Sequence, residues 1–307
     1  MKVSQAIKLR LITTAVYSSA FYGCEASYVD ESLLGKLTTA VANIMGPHSA
    51  RRCLALVFGM NNHNAKEMDP TAVICMRRFN LCRRICAKYP SCYPLVQDLM
   101  DFYTYASFPG TVDHEDMDGK LPSEAAPPHG HPGRAAWKNG LHPLGPIGHM
   151  CYSAAQFRIC IDRTLTCHQK NEVPFNLCFC PYQILSRLTR DMIIRARNEI
   201  AFNNRSILHG TKELDLDILA TATRRFKEEE ESATLFFHLS LSGWSSELLF
   251  NIGRVQNCQC PCGFHTQSLV HILWHCPLHS EARHKDSRIA DICDLELPLS
   301  LRLGLPP

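Results

Sequence analysis

Apolar residues recur at helical spacing along most of this chain, and each recurrence predicts an amphipathic helix with one buried stripe. At the start, Val3, Ile7, Leu11, Ala15 and Ser18 share a face that Ala6, Ile12 and Val16 widen. The run DESLLGKLTTAVANIMG predicts a second helix, capped by Asp30 and stopped by Gly46 and Pro47. From 71 to 89, Ile74, Leu81 and Ile85 form a stripe with Cys75, Cys82 and Cys86 beside it, while Arg77, Arg78, Arg83, Arg84 and Lys88 fill much of the remainder. PYQILSRLTRDMIIRARNEIAF predicts another helix, with Ile184, Leu188, Met192, Ala196 and Ile200 buried. Residues 216–239 predict a long helix whose RRFKEEEE segment is an exposed, salt-bridged face. Ser242 is then expected to cap a short helix that carries Trp244, Leu248, Leu249 and Ile252 and ends at Gly253.

Between 108 and 149 the periodicity stops. The segment is rich in Pro, Gly and His and has no sustained apolar period, so it reads as a long linker or insertion. The fold expected is therefore all-α, with a helical unit over 1–107, a linker over 108–149 and a helical module over 150–307. His129, His131, His142 and His149 in the linker have no acidic or cysteine partners and are expected to be solvated.

Composition narrows the class. At 307 residues and 34.6 kDa, with 46% hydrophobic and 20% charged residues, the chain is globular and long enough for two cores. Sixteen cysteines over this length fall below the density of small disulfide scaffolds, which favours a reducing, metal-using setting: intracellular, nuclear or cytoplasmic, and not secreted. Lys2, Lys8 and Arg10 precede a run diluted by Thr13, Thr14, Ser18 and Ser19, which fits neither a leader peptide nor a membrane span. A net charge of +3 does not imply a nucleic-acid partner, but residues 51–88 hold eight Lys or Arg against two acids. A helix presenting Arg77, Arg78, Arg83, Arg84 and Lys88 is a candidate surface for a phosphate backbone, with an ordinary solvated face as the other reading.

The densest chemistry lies at CQCPCGFHTQSLVHILWHCP, from Cys258 to Pro277. Cys258, Cys262, His271 and Cys276 give C-x3-C-x8-H-x4-C, two close ligand pairs that suit a closed, tetrahedral, structural zinc site. Cys260 is an equally close alternative to Cys258. Pro261 and Gly263 flank Cys262 where the first pair needs a tight turn. Leu269, Ile272, Leu273 and Cys276 predict a short helix over 268–275. An ideal helix would set His271 and Cys276 about 140° apart, so it must loosen before Cys276, and Pro277 disfavours the α region there. Cys75, Cys82, Cys86, Cys92 and the pair Cys178 and Cys180 have helical or isolated spacing and are expected to pack as small apolar side chains.

The run GWSSELLFNIGRVQNCQCPCGFHTQSLVHILWHCPLHSEAR resembles the C-terminal zinc-binding region of LINE-type, non-LTR retrotransposon reverse transcriptases. His271, Ile272, Leu273, Trp274, Cys276, Pro277 and Arg283 fall on the family's positions, and Ser268 stands where the family usually has a threonine. AVYSSAFYGCEA, with Tyr22, Gly23, Cys24 and Glu25 at its end, resembles the segment that follows the palm in the same family. The resemblance implies a thumb-like unit over 1–107 and a CCHC-type zinc knuckle at 258–276. Palm and fingers would precede both, and no adjacent aspartate pair is present to hold catalytic metals. It further implies a nucleic-acid-binding tail, not an enzyme on its own, whose partners are RNA or DNA and the upstream polymerase part of the same element. A zinc-stabilised protein-interaction module, or a decayed retroelement fragment without function, is the other reading of these residues. No Ser, Cys and His grouping stands at a recognisable catalytic spacing.

Overall fold

The computed structural model describes residues 5–46, 52–60, 68–107, 145–169, 172–204 and 245–285, with isolated positions between 214 and 243 and between 297 and 305. The chain forms helices α1 (Gln5–Leu11), α2 (Tyr17–Ala20), α3 (Glu31–Met45), α4 (Leu54–Met60), α5 (Pro70–Lys88), α6 (Tyr93–Ser107) and α7 (Gly145–Ala155). Strands β1 (Cys160–Ile161), β2 (Thr166–His168) and β3 (Phe175–Asn176) follow, then α8 (Tyr182–Asn204), α9 (Ser246–Asn251), α10 (Ser280–His284) and α11 (Leu299–Arg302). These elements divide into two units, Met1–Met45 with His63–Ile200, and Gly46–Asn62 with Ala201–Pro307.

The first unit is built around α5. Asp69 caps it, its Oδ1 accepting from Thr71 N at 3.0 Å, and Pro70 occupies the first turn, where a missing N–H costs nothing. Asp69 also accepts from Arg197 of α8 at 2.7 Å. The face of α5 formed by Ala72, Cys75, Phe79, Cys82 and Cys86 is buried in one core with Val96 and Met100 of α6, Ile147, Met150 and Ala154 of α7, and Leu185, Met192, Ile193 and Ala196 of α8. The cysteines of this face pack as expected, and Cys178 and Cys180 lie partly buried against the same core.

Three departures from expectation have local causes. The π-turn Ile12–Val16 follows α1, and Thr13 and Thr14 hydroxyls donate back to the Arg10 carbonyl at 3.0 and 2.7 Å. It turns Leu9, Ile12, Tyr17 and Phe21 inward, so Ile7 and Leu11 of the expected stripe are exposed. In α8 the buried stripe is shifted by one residue, to Leu185, Thr189, Met192 and Ala196, and Ile184 is exposed. The expected linker does not divide the described chain: residues 145–149 begin α7, with Pro146 in its first turn, and Ile147 and Met150 enter the α5 core. Residues 108–144, with His129, His131 and His142, lie outside the described residues, while His149 is buried in α7.

The chain is mostly helical but not all-α. β1, β2 and β3 form an antiparallel sheet in that order, with Cys160 opposite His168 and Cys167 opposite Phe175. Asp162 builds the β1–β2 turn, its Oδ1 accepting from Thr164 N, Thr164 Oγ1 and Thr166 N at 2.8, 2.6 and 3.0 Å, while Oδ2 meets His168 Nε2 at 2.9 Å. Strands of two or three residues are too short to display an alternating pattern.

In the second unit α4 buries Leu56, Val57 and Phe58, and Cys53 N donates to Ser240 O at 2.9 Å. Nearly all of the helix expected over 216–239 lies outside the described residues, as does Ser242. The cap of α9 is Ser245, whose Oγ accepts from Leu248 N at 3.3 Å, and Gly253, at φ 70°, ends the helix as expected. No helix among the described residues is long and apolar enough to cross a membrane.

Candidate metal centre

The first ligand pair is set by a turn. Gly263 N donates to Cys260 O and Cys260 N to Phe264 O, both at 2.9 Å, and the loop closes through Gly263 at φ 93°. Only glycine adopts that backbone without strain. Cys260 and Cys262, two residues apart on the loop, thus present their thiols to the same side. Cys258 lies further out: its carbonyl accepts from Gln267 N at 2.7 Å and its Sγ lies 3.5 Å from His265 O. The ligand set built on Cys258 is therefore corrected to the one built on Cys260, because the turn closes at 260–264 and leaves Cys258 beyond it.

The second pair is set by a loosened helix. Ser268 Oγ accepts from His271 N at 3.1 Å, filling the capping role of the family's threonine. His271–His275 form a π-turn in which Cys276 N donates to His271 O at 2.7 Å, across five residues instead of four. The wider turn brings His271 and Cys276 onto one side, and Cys276 leaves the helix in an extended conformation ahead of Pro277. Arg283 of α10 holds this end down by donating to the Cys276 carbonyl at 2.6 Å.

Ligand atoms of Cys260, Cys262, His271 and Cys276 all lie within 4.8 Å of one another. Cys260 Sγ is 3.7 Å from Cys276 Sγ, and Cys262 Sγ is 3.3 Å from His271 Nε2. A tetrahedron with Zn–S bonds of about 2.3 Å separates its sulfurs by about 3.8 Å, so the four donors are spaced as zinc requires. Burial, and after it the charges of His275, Arg283, His265 and His279, lower the pKa of His271, which keeps the ring neutral as a ligand must be. The backbone N–H of Cys262 is the main cause that holds the Cys260 thiol below its ordinary value, which favours the thiolate.

Two residues of the centre carried no signal in the sequence. Phe264 stacks on the His271 ring at 4.4 Å and 7°, and so orients an imidazole whose buried Nδ1 has no hydrogen-bond partner among the described residues. Gln267 ties α9 to the centre: its Oε1 accepts from the Ser246 hydroxyl and its Nε2 points to Cys260 Sγ at 3.9 Å. Neither residue type has a diagnostic spacing, and both act only once the ligands have converged.

The basic helix is a different case. Arg78 is buried on the core face of α5, where Nε donates to Cys24 O, Nη1 to His149 O and Ser153 Oγ, and Nη2 to Ser27 O, at 2.5–3.0 Å. Arg77 donates to Phe21 O at 3.0 Å and faces Glu25, and Arg83 donates to Cys180 O at 2.9 Å. Arg84 and Lys88 are exposed. The five-residue phosphate surface is thus corrected: Arg78 is withdrawn from solvent, Arg77 and Arg83 are half-buried on internal carbonyls, and Arg84 and Lys88 alone of the five stand fully in solvent. No protein-family model, no curated protein and no solved structure matches this chain.

Proposed function

We propose that this chain is a non-catalytic, nucleic-acid-binding part of a LINE-type non-LTR reverse transcriptase, organised at its C-terminal end by a structural zinc ion. The observation that carries this reading is the convergence of Cys260, Cys262, His271 and Cys276. Four protein ligands leave no open position for a reactive water, so the metal would supply folding energy and not chemistry. The charges that weigh on His271 come from His275, Arg283, His265 and His279, which gives the knuckle a cationic surround suited to phosphate. The family resemblance adds the ligand class, RNA template or target DNA, and the upstream polymerase part as a second partner, within an intracellular setting.

A zinc-stabilised protein-interaction module is the second reading, and one observation favours it. Three of the five α5 cations are engaged internally, while Phe250, Ile252 and Leu278 near the knuckle are exposed. Fluorescence anisotropy of labelled RNA and DNA oligonucleotides with zinc-loaded and chelator-treated protein separates the two. Binding that falls with salt and is lost with the metal is expected. An absence of binding by the zinc-loaded chain at low salt overturns the nucleic-acid reading and leaves the protein-interaction one.

A further inference from the structure

Phe264 is held unusually well for an exposed aromatic residue. One ring face lies parallel on His271 at 4.4 Å, the ring of His265 meets it at 4.2 Å and 41°, and its carbonyl accepts from Cys260 N. Even so, 45% of the residue is exposed. With one face covered, that exposure belongs to the opposite face and rim. A flat apolar surface, fixed to a metal ligand and turned to solvent, gains nothing for the fold by being there, since burial of its outer face would stabilise the molecule more.

We propose that the outer face of Phe264 is a stacking platform for an unpaired nucleobase, so that the knuckle takes single-stranded nucleic acid in preference to duplex. The proposal rests on the nucleic-acid reading above and adds the substrate form and the residue that selects it. A base has a π-face whatever its identity, and stacking on a fixed aromatic ring needs that face free, a condition met in single strands and denied inside a duplex. The surround is complementary to a strand's backbone. His265, His275 and His279 are exposed around the knuckle, Arg254 stands exposed after α9, and Arg283 lies half-exposed beneath Cys276. Glu281 is engaged by Lys285 at 3.4 Å. The stacking face and the cations occupy one patch because the same four-ligand centre positions both.

The test uses the full zinc-loaded chain with a labelled 12-nucleotide RNA, alone or annealed to its complement, and compares it with Phe264→Ala and Phe264→Trp. Stacking of one base on an aromatic side chain contributes roughly 1–3 kcal/mol by alanine substitution, which is about a 5- to 150-fold change in Kd. Phe264→Ala should therefore weaken single-strand binding by that factor, with zinc content and duplex binding unchanged. Phe264→Trp should keep both zinc and affinity, and its fluorescence should be quenched by the single strand and not by the duplex. The tryptophan variant decides the matter where Phe264→Ala also loses zinc. Equal weakening toward single strand and duplex, no weakening with zinc retained, or a bound tryptophan variant without quenching each overturns the platform while leaving the nucleic-acid reading in place. Failure of the unmutated chain to bind either probe removes both.

Discussion

The knuckle and helix α5 are both dense in residues that carry chemistry, yet they do opposite things with them. At the knuckle, three thiols and an imidazole from two separate segments meet one another, with no carbonyl or carboxylate between them. Along α5, the arginines turn away from one another toward carbonyls of the chain itself, at Phe21, Cys24, Ser27, His149 and Cys180. Side chains that converge without internal partners await a ligand, whereas side chains whose donors are satisfied one by one are part of the scaffold. Composition alone does not separate the two cases.

The largest effect that tests this contrast is metal loss. Cys260→Ser, Cys262→Ser, His271→Ala or Cys276→Ser should each abolish stoichiometric zinc and unfold residues 245–285, since metal binding and folding are coupled in such small modules. Cys258→Ser should retain the metal. Zinc quantification together with amide hydrogen exchange decides, and loss of zinc from Cys258→Ser to the same degree would restore Cys258 to the ligand set.

Next in size is Arg78. Removing its guanidinium leaves buried carbonyls at Cys24 and His149 and a buried Ser153 hydroxyl without their donor. At about 1–3 kcal/mol for each buried group left unpaired, Arg78→Met should destabilise the first unit by roughly 3 kcal/mol or more in urea unfolding. Arg84→Ala, at an exposed position, should change stability by less than about 0.5 kcal/mol. Equal effects would erase the distinction between scaffold and surface arginines.

A smaller effect is expected at Gly263. An added Cβ meets no atom within 4 Å, so the cost is one of backbone conformation alone. Holding alanine at φ 93° costs about 1–3 kcal/mol, and Gly263→Ala should weaken zinc affinity by a corresponding factor of about 5 to 150 in a competition titration, without changing the ligand set. Unchanged affinity would mean that the turn adapts and does not set the first ligand pair.

The smallest effect lies away from both regions, in the β1–β2 turn. Burial acts to raise the pKa of Asp162, but bonds from Thr164, His168 and Thr166 outweigh it and hold the carboxyl below its usual range. A carboxyl depressed in the folded state contributes stability that is present above its unfolded pKa of about 3.9 and is lost as pH falls through the folded value. Asp162→Asn should flatten the acid side of the urea-midpoint profile below about pH 4 and leave neutral pH little changed apart from the loss of the charge-assisted bond to His168. An unaltered acid limb would place the acid sensitivity elsewhere.

Much of this architecture was legible in the sequence where a signal is local. Asp69 and Asp30 cap the helices expected of them, Gly253 stops α9, and the cysteine and histidine spacing marks the metal centre to within one choice of ligand. That choice turns on where a turn closes, and C-x-C and C-x3-C spacing are both compatible with zinc. The buried stripes of α1 and α8 were misplaced for a related reason: a π-turn, or a shift of one residue, rotates a helical face without changing its composition. Arg78 illustrates the hardest case. Its partners at Cys24, Ser27 and His149 are backbone carbonyls, and a carbonyl leaves no trace in residue identity.

The bond from Cys53 to Ser240 has a consequence for synthesis. The segment Gly46–Asn62 belongs with the C-terminal unit, so α4 emerges from the ribosome long before the chain it packs with. At roughly 5–20 residues per second, the interval to residue 240 is on the order of 10–40 s. Throughout it Leu56, Val57 and Phe58, fully covered in the finished fold, stand uncovered beside a first unit that is completing itself. A nascent chain of this design depends on holdase chaperones during elongation, and a slowed codon stretch anywhere between 62 and 240 lengthens its exposure to aggregation.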